Sequence, residues 1–454
     1  PTSNRQAFYV SGSYESQLPA GTYEVAITRG PEYRDYYGTF TVTPGQTTAV
    51  AVLLKRYADL PAEGWISGDD HIHLARDASR DLTVWTQVAA EDVHVGNLLQ
   101  MGNISGTYFE QPLWGHGGRF QQDGHALVSG QEDPRTGELG HTIHEDLQGP
   151  IHLSRDSYFL YYHAFEASHQ QGAVSGYAHL NGGWFNVRRG MALDVPFGLV
   201  DFVEVLQAGQ LLTNIWYQFL DLGFKLTPSA GSDFPYTDLP GVVREYVKVT
   251  PGSSDLDAWY AAFHAGHVYV TNGPFLEFEI NGHSMGDEVR VAAGTALHLT
   301  ASARLNPDVD QLDRLELIVE GAVVKTVQAF GRDHVALDTT LKADRSMWVA
   351  VRAFGARQSD GNTTVAHSAP IYVVANGQPF WDKERVPELV QEQEEVLNGL
   401  LNTPLRPEED LEYFATTKLL LEEFPKQLPL LKARVEEVDR KYQSILEQWR
   451  RAAQ

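Results

Sequence analysis

The sequence predicts an α/β protein in which a βα-alternating domain is flanked by two β-sandwich modules and followed by a C-terminal helical tail. Three observations carry this expectation. Short apolar strands alternate with helical stretches between residues 63 and 275, period-two segments punctuated by Gly, Asn and Pro occupy both flanks, and the last part of the chain repeats apolar residues at three- and four-residue steps. At 454 residues the chain is too long for one ordinary core, and about three domains is the starting expectation.

Residues 1–62 contain the alternating runs "GTYEVAITRG", "YGTFTVTPG" and "QTTAVAVLLKR", separated by Gly and Pro turns, and are expected to form an N-terminal β-sandwich module. The phrase "LPAGTYEV" resembles transthyretin-like or carboxypeptidase-regulatory-like accessory sandwiches, whose role is packing or positioning. Residues 63–275 carry the strands "GAVSGYAHL", "GLVDFVEVL" and "GFKLTPSAGSD" between the helical stretches "LTVWTQVAAEDV", "DSYFLYYHAFEASHQQ" and "LTNIWYQFLDL", which implies a parallel sheet or barrel. Residues 276–376 return to period two and read as an immunoglobulin-like sandwich. Residues 377–454 are helical. Leu428, Leu431, Val435, Val438, Tyr442, Ile445 and Trp449 form one apolar stripe, Pro425 and Pro429 place the start of that helix near Leu430, and a hairpin docked on its own chain is expected in preference to a dimerising coiled coil.

Composition narrows the function. The 35 basic against 59 acidic residues give a net charge of -24, which argues against nucleic acid as a partner, because that affinity is built from clustered Lys and Arg. No run approaches the roughly 18 apolar residues of a membrane span. Without cysteine, thiolate zinc sites and cysteine nucleophiles are excluded, so any metal must be held by nitrogen and oxygen. The opening "PTSNRQAFYV" reads as a mature or trimmed start, and a periplasmic or secreted location is favoured over a cytoplasmic one. A homo-oligomer is compatible with the sequence.

Eleven of the seventeen histidines fall between His71 and His179, a density that a purely structural protein has no use for. In "GDDHIHL" the two imidazoles lie at i and i+2, so on a strand they share one face while Ile72 points the other way. In a parallel α/β domain ligands gather at the carboxyl ends of strands. There the sequence offers Glu132 after "ALVSG", His141 in the following loop, His179 in "GYAHL", Glu204 in "GLVDFVEVL" and Asp233 in "SAGSD". Each alone has a bland explanation as a cap or a backbone hydrogen-bonding group, but the ordered set points to a metal site. Imidazole plus carboxylate suits zinc, manganese or iron(II).

The phrases "GDDHIH", "SGQE", "GHTIH", "YAHLNG" and "AGSDFP" resemble the metal motifs of the polymerase-and-histidinol-phosphatase (PHP) superfamily. The wider wording "SGQEDPRTGELGHTIH", "WYQFLDLGFKLTPSAGSDFPY", "GVVREYV" and "GHVYVTNGP" is closer to the CehA/McbA-type metallohydrolases within it, across roughly residues 63–275. The resemblance implies a distorted seven-stranded βα barrel with two or three divalent metals that hydrolyse an ester-like bond. It implies His71, His73, Glu132, His141, His179 and Asp233 as metal ligands, with His144 the competitor of His141 and Glu132 the bridging carboxylate. It also implies a metal-dependent hydrolase acting on an ester, amide or carbamate, with phosphoester hydrolysis as the alternative from the wider superfamily; a binding module in which the sandwiches do the work and the metal is structural is the alternative of a different class. PHP phosphatases end the last motif Asp-x-His, whereas here Asp233 is followed by Phe234 and Pro235. One or two ions, zinc or manganese first, are therefore expected rather than three, unless His94, His116, His125 or His144 folds in to restore the third.

Asp233 is the expected proton acceptor, and Arg244 in "GVVREYV" the cation for an anionic group or oxyanion. Asp69 and Asp70 are expected to orient the paired imidazoles. Trp114, Trp184, Phe185, Trp216 and Tyr217 are candidates to line a cleft for a small substrate with an aromatic group.

Overall fold

A computed structural model of the chain describes residues 8–180, 185–359, 362–402 and 414–452. The fold is mixed α/β, with large sheets and few helices. At the N-terminus β1 (Gly21–Ile27) and β2 (Tyr36–Val42) form a two-stranded antiparallel sheet. The third expected strand does not form: residues 46–56 carry no ladder and are held by a bridge between Arg56 and Tyr33, the Arg34 amide donating to the Lys55 carbonyl (2.8 Å), and side-chain bonds of Thr48 and Arg56, so among the described residues this region is a hairpin and not a sandwich. Its side chains alternate exposed and half-exposed, leaving little buried area to hold a third ladder.

The central sheet is built from β3 (Trp65–Ile72), β4 (Val95–Asn103), β5 (His125–Glu132), β6 (Gly140–Glu145), β7 (Val174–Tyr177), β8 (Phe202–Gln207), β9 (Thr227–Ala230), β10 (Arg244–Lys248) and β11 (Val268–Thr271). Strands β3, β4 and β5 run parallel, as do β7, β8 and β9. Between these blocks β6 is antiparallel to both β5 and β7, and β10 is antiparallel to β3. The short connection after β5 leaves no room for a crossover helix, which is why "GHTIH" returns antiparallel where alternation predicted a parallel strand. The far end of the sheet curls back, since Phe234, just after β9, bridges Ile72 of β3. Helices α1 (Asp81–Ala90), α2 (Tyr162–Gln170), α3 (Val187–Asp194), α4 (Asn214–Asp221) and α5 (Leu256–His264) connect the strands. Asp255 caps α5 by accepting from the Asp257 and Ala258 amides.

Strands β12 (Phe275–Ile280), β13 (Glu288–Val291), β14 (Thr295–Arg304), β15 (Leu312–Val319), β16 (Ala322–Gln328), β17 (His334–Ala343), β18 (Met347–Ser359), β19 (Asn362–Ser368) and β20 (Ile371–Ala375) follow. Of these, β14 pairs with β12 and β17, while β18 pairs with β15, β19 and β20. Leu297, Leu299, Ala301 and Ala303 alternate inward on β14 and join the same core as Leu315, Leu317, Val349 and Val351. The central sheet continues into this module, because β11 pairs with β19.

The tail forms α6 (Val386–Asn402) and α7 (Phe414–Ala452), packed on the chain's own core through Leu389, Leu397, Leu431, Val438 and Tyr442. Helix α7 runs through both prolines, where the sequence predicted a start near Leu430. An interior proline costs about 3 kcal/mol. Burial of Phe424 and Leu431 on either side of them, and the Gln427 side chain, which accepts from the Phe159 amide (2.9 Å) and donates to the Arg155 carbonyl (2.6 Å), offset that cost.

Candidate metal centre

Period two at the end of β3 sends Ile72 into the core with Val88 and Leu98, and turns His71 and His73 to the opposite face, both buried. Their Nε2 atoms lie 3.0 Å apart. His73 Nδ1 donates to the Leu99 carbonyl (3.1 Å), and His71 Nδ1 faces Glu204 Oε1 (3.4 Å). Each outer nitrogen faces an acceptor, and the facing Nε2 pair is held together either by a proton on one ring or by a cation between them.

Two carboxylates close on the same point. Glu132 Oε2, at the end of β5, is 3.4 Å from His73 Nε2 and 3.9 Å from His71 Nε2; Asp233 Oδ1 is 3.5 and 3.6 Å from the same atoms. Ligands at about 2.0–2.2 Å from one tetrahedral ion stand about 3.3–3.6 Å from each other. His71, His73 and Asp233 therefore match part of one coordination shell, and Glu132 Oε2 lies within reach of both imidazoles. Glu132 Oε1 faces the other way, accepting from His141 Nδ1 (2.7 Å) and lying 3.6 Å from His179 Nε2. His179 Nδ1 donates to Gln207 Oε1 (2.8 Å), and its backbone amide donates to Glu204 Oε2 (2.7 Å). Glu132 thus joins two lobes, with His71, His73 and Asp233 on one side and His141 and His179 on the other.

Two of these residues, His179 (φ 54°) and Asp233 (φ 51°), hold left-handed backbone conformations that non-glycine residues adopt at a cost of about 1–3 kcal/mol. Gly231, beside Asp233, is required by close approach: a Cβ there would lie 2.1 Å from Asp70 Oδ1 and 2.6 Å from Glu204 Oε1.

The electrostatics favour a cation. Burial disfavours the charged form of His71, but Glu204, Asp233 and Glu132 outweigh it and hold the imidazole well above its ordinary value. Burial likewise opposes charging of His179, yet Glu132 and Glu204 raise it. Glu132 resists the upward push of burial and stays well below the ordinary carboxylate range, through Arg135 and His141. His141 is driven down to about 3 by burial and by Arg135. The field that draws protons onto His71 and His179 is the field a metal ion would displace them from.

No protein-family model matches this sequence, and neither does any curated protein.

Other clusters are less suited to a metal. Asp92, His94 and His125 gather at the amino ends of the strands beside a cavity of about 170 Å³, but Arg29 (3.1 Å) and Arg56 (3.6 Å) already neutralise Asp92. Exposed His116, with Asp146 and Asp257, is pre-empted by Arg119, which bridges both carboxylates at 2.7 and 2.6 Å. His144 turns both ring nitrogens to hydroxyls, Ser175 Oγ (2.8 Å) and Thr142 Oγ1 (3.1 Å). None of His94, His116, His125 and His144 joins the HxH group to supply a third site.

Arg244 departs from its expected role. Its guanidinium donates to the carbonyls of Gly241 (2.6 Å), Asp92 (3.3 Å) and Glu91 (3.0 Å), so it clamps two loops together and does not meet the cluster. Asp69 accepts from the backbone amides of His71, Ser232 and Gly241, and neither it nor Asp70 bonds an imidazole. That orienting work falls to Leu99, Glu204 and Gln207. Trp216 is core, Trp114 packs near Leu147 and Ile151, and Trp184 lies outside the described residues. Phe185 does reach the centre, its ring 3.9 Å from that of His141, while Phe109 (5.3 Å) and Tyr236 (5.6 Å) flank His73. Sequence reasoning missed Phe109, Tyr236, Arg135 and Gln207. A signal existed for Gln207, a polar residue at the end of β8, and for Arg135, three residues after Glu132; none marked Phe109.

Proposed function

We propose that this chain is a metal-dependent hydrolase of the CehA/McbA type within the PHP superfamily, holding one or two divalent ions, zinc or manganese, in the two lobes joined by Glu132. The observation that carries the reading is the convergence of Glu132 Oε2 and Asp233 Oδ1 on the buried His71 and His73 Nε2 pair, which lies 3.0 Å apart. His71, His73, Glu132 and Asp233 would hold one ion, and Glu132, His179 and His141 the other, with His141 Nδ1 giving up its bond to Glu132. A divalent ion bound there lowers the pKa of a water and polarises a carbonyl oxygen.

The chain's own residues supply the rest. Asp233, partly open to solvent, is placed to take a proton at its carboxylate. Leu99, Glu204 and Gln207 hold the imidazoles in the tautomers that present Nε2. Phe109, Tyr236 and Phe185 offer flat apolar surface beside the cluster for an aromatic group. With Arg244 committed to backbone carbonyls, an anionic phosphate loses the cation expected to hold it, which favours a neutral ester, amide or carbamate.

The test is metal analysis of the purified protein, followed by aryl ester, carbamate and phosphodiester substrates on apo and reconstituted protein. Turnover of carbonyl substrates that depends on added metal is expected. Faster turnover of phosphodiesters would move the reading to a phosphoesterase, and bound metal without turnover would leave a binding module.

A further inference from the structure

Arg135 has no place in the ligand set proposed above, yet its guanidinium reaches the carboxylate that joins the two lobes. Its Nε lies 3.3 Å from Glu132 Oε2 and 3.4 Å from His141 Nδ1. The backbone fixes it there. Arg135 pairs antiparallel with His141 on β6, and its amide donates to the buried Tyr158 hydroxyl (3.2 Å), which itself donates to Asp133 Oδ1 (2.6 Å). One residue on, Thr136 Oγ1 accepts from the Tyr161 hydroxyl (2.9 Å) and the Leu139 amide (3.1 Å), so the turn from β5 into β6 is anchored to the segment before α2. The Arg135 side chain is 17% exposed and that of Glu132 1%, which puts a cation at the rim over a buried carboxylate.

The two lobes depend on that carboxylate unequally. His71, His73 and Asp233 bring their ligand atoms within 4.8 Å of one another without Glu132, and Asp233 supplies a negative charge of its own. In the other lobe the ligands are His141, His179 and Glu132, of which only Glu132 is anionic. His141 joins no comparably close grouping among the described residues, and its Nδ1 is turned to Glu132 Oε1 at 2.7 Å. An ion in this lobe therefore draws its whole ligand charge from a carboxylate that a guanidinium already neutralises. Like charges a few Å apart repel strongly where water is scarce, and arginine cannot shed its charge to relieve the repulsion.

Resting on the metallohydrolase reading, we propose that Arg135 is the resident counter-ion of Glu132 and makes the centre load in two steps: the ion at His71, His73 and Asp233 binds first and tightly, and the ion at His141 and His179 binds weakly and exchanges. A buried carboxylate stripped of its partner is costly, so the same guanidinium keeps the centre stable while the second lobe is empty. Arg135 thus sets the metal concentration at which the second lobe fills. The share of chains carrying two ions follows the supply of free divalent metal, and the site is regulated by that supply.

The test adds manganese(II) stepwise to the metal-stripped full chain and counts bound ions by equilibrium dialysis, for the wild type, Arg135→Gln and Arg135→Lys. The wild type is expected to show two unequal affinities. Arg135→Gln, which keeps a planar donor and loses the charge, should tighten the weaker one by about 10–100-fold, leave the tighter one unchanged and lower the thermal midpoint of the stripped protein. Arg135→Lys keeps the charge and should keep the weak affinity. A wild type that holds one ion where Arg135→Gln holds two supports the proposal equally. Two equal affinities in the wild type, or a second ion that Arg135→Gln leaves unchanged or weakens, overturn it, because a merely orienting salt bridge would loosen Glu132 when lost. One ion in both proteins overturns it as well. A wild type that takes up no manganese defeats the metallohydrolase reading and this proposal with it, whereas two bound ions indifferent to Arg135 defeat this proposal alone. Should Arg135→Gln not fold, anomalous scattering from wild-type crystals soaked at rising manganese decides: a peak at His71, His73 and Asp233 that precedes the one at His141 and His179 supports two-step loading, and simultaneous or reversed filling overturns it.

Discussion

Replacing Gln207 with leucine tests the two-lobed centre without touching any ligand. Gln207 Oε1 accepts from His179 Nδ1 at 2.8 Å and so fixes the ring with Nε2 toward Glu132. A neutral hydrogen bond of this kind contributes about 0.5–1.5 kcal/mol, and freeing the imidazole's rotamers costs about 1 kcal/mol more. The ion held by His179 should then bind about 1.5–2.5 kcal/mol more weakly, roughly 10–70-fold, inside the range usual for lost outer partners of metal-bound histidines. Leucine matches the size of glutamine, and Gln207 Nε2 has no partner to lose, so folding stability should change little. Competition with a chromogenic chelator measures each ion's affinity. The expected result is asymmetric, one ion weakened and the ion at His71, His73 and Asp233 unaffected. Equal weakening of both ions, or no weakening of either, would refute the reasoning.

Asp233→Asn should lower kcat by about 10²–10⁴-fold, as befits loss of a proton acceptor, whereas Arg244→Lys, which gives up planar donors to three carbonyls, should cost about 1.5–3 kcal/mol in urea unfolding and spare kcat. Stripping metal with a chelator should lower the thermal midpoint by several degrees, because an ion at 100 times its Kd stabilises the fold by about 2.7 kcal/mol; an unchanged midpoint would mean that no ion binds preferentially to the native state. His144 and His367 are buried and neutral, each pushed down to about 3, first by burial. The unfolded chain takes up those protons near 6.5 and the folded chain only near 3, so stability rises with pH across that window and is lost as pH falls through it, by about 1.4 kcal/mol per unit for each group. His144→Asn should reduce this slope in unfolding curves taken between pH 6 and 4, and an unaltered slope would count against the assignment.

The placement of the candidate site was readable because strand ends are local. Period two fixed the shared face of His71 and His73, and Glu132, His179 and Asp233 each end an apolar run that buries itself as a strand. What surrounds them depends on which strands become neighbours. Gln207 reaches His179 through the pairing of β7 with β8, and Leu99 reaches His73 from β4 beside β3, neither of which has a sequence signature. Arg244 misled for the same reason, since its residue type announces a cation but only the fold shows three carbonyls waiting for it. The antiparallel return of β6 and the continuity of α7 through Pro425 and Pro429 are tertiary outcomes that override local preference.

The pairing of β11 with β19 makes the boundary near residue 275 a boundary of composition and not of cooperativity. Tyr269, Val270 and Thr271 face Ser368, His367 and Ala366 across one antiparallel ladder, and Val268, Tyr269 and Val270 are completely covered. A chain cut after the βα region would expose those three apolar residues on a naked edge strand, with its amides and carbonyls free to recruit another copy. Such a fragment would aggregate before its chemistry could be measured, so the candidate metal centre and the β-module that follows it must be inherited, expressed and engineered as one piece.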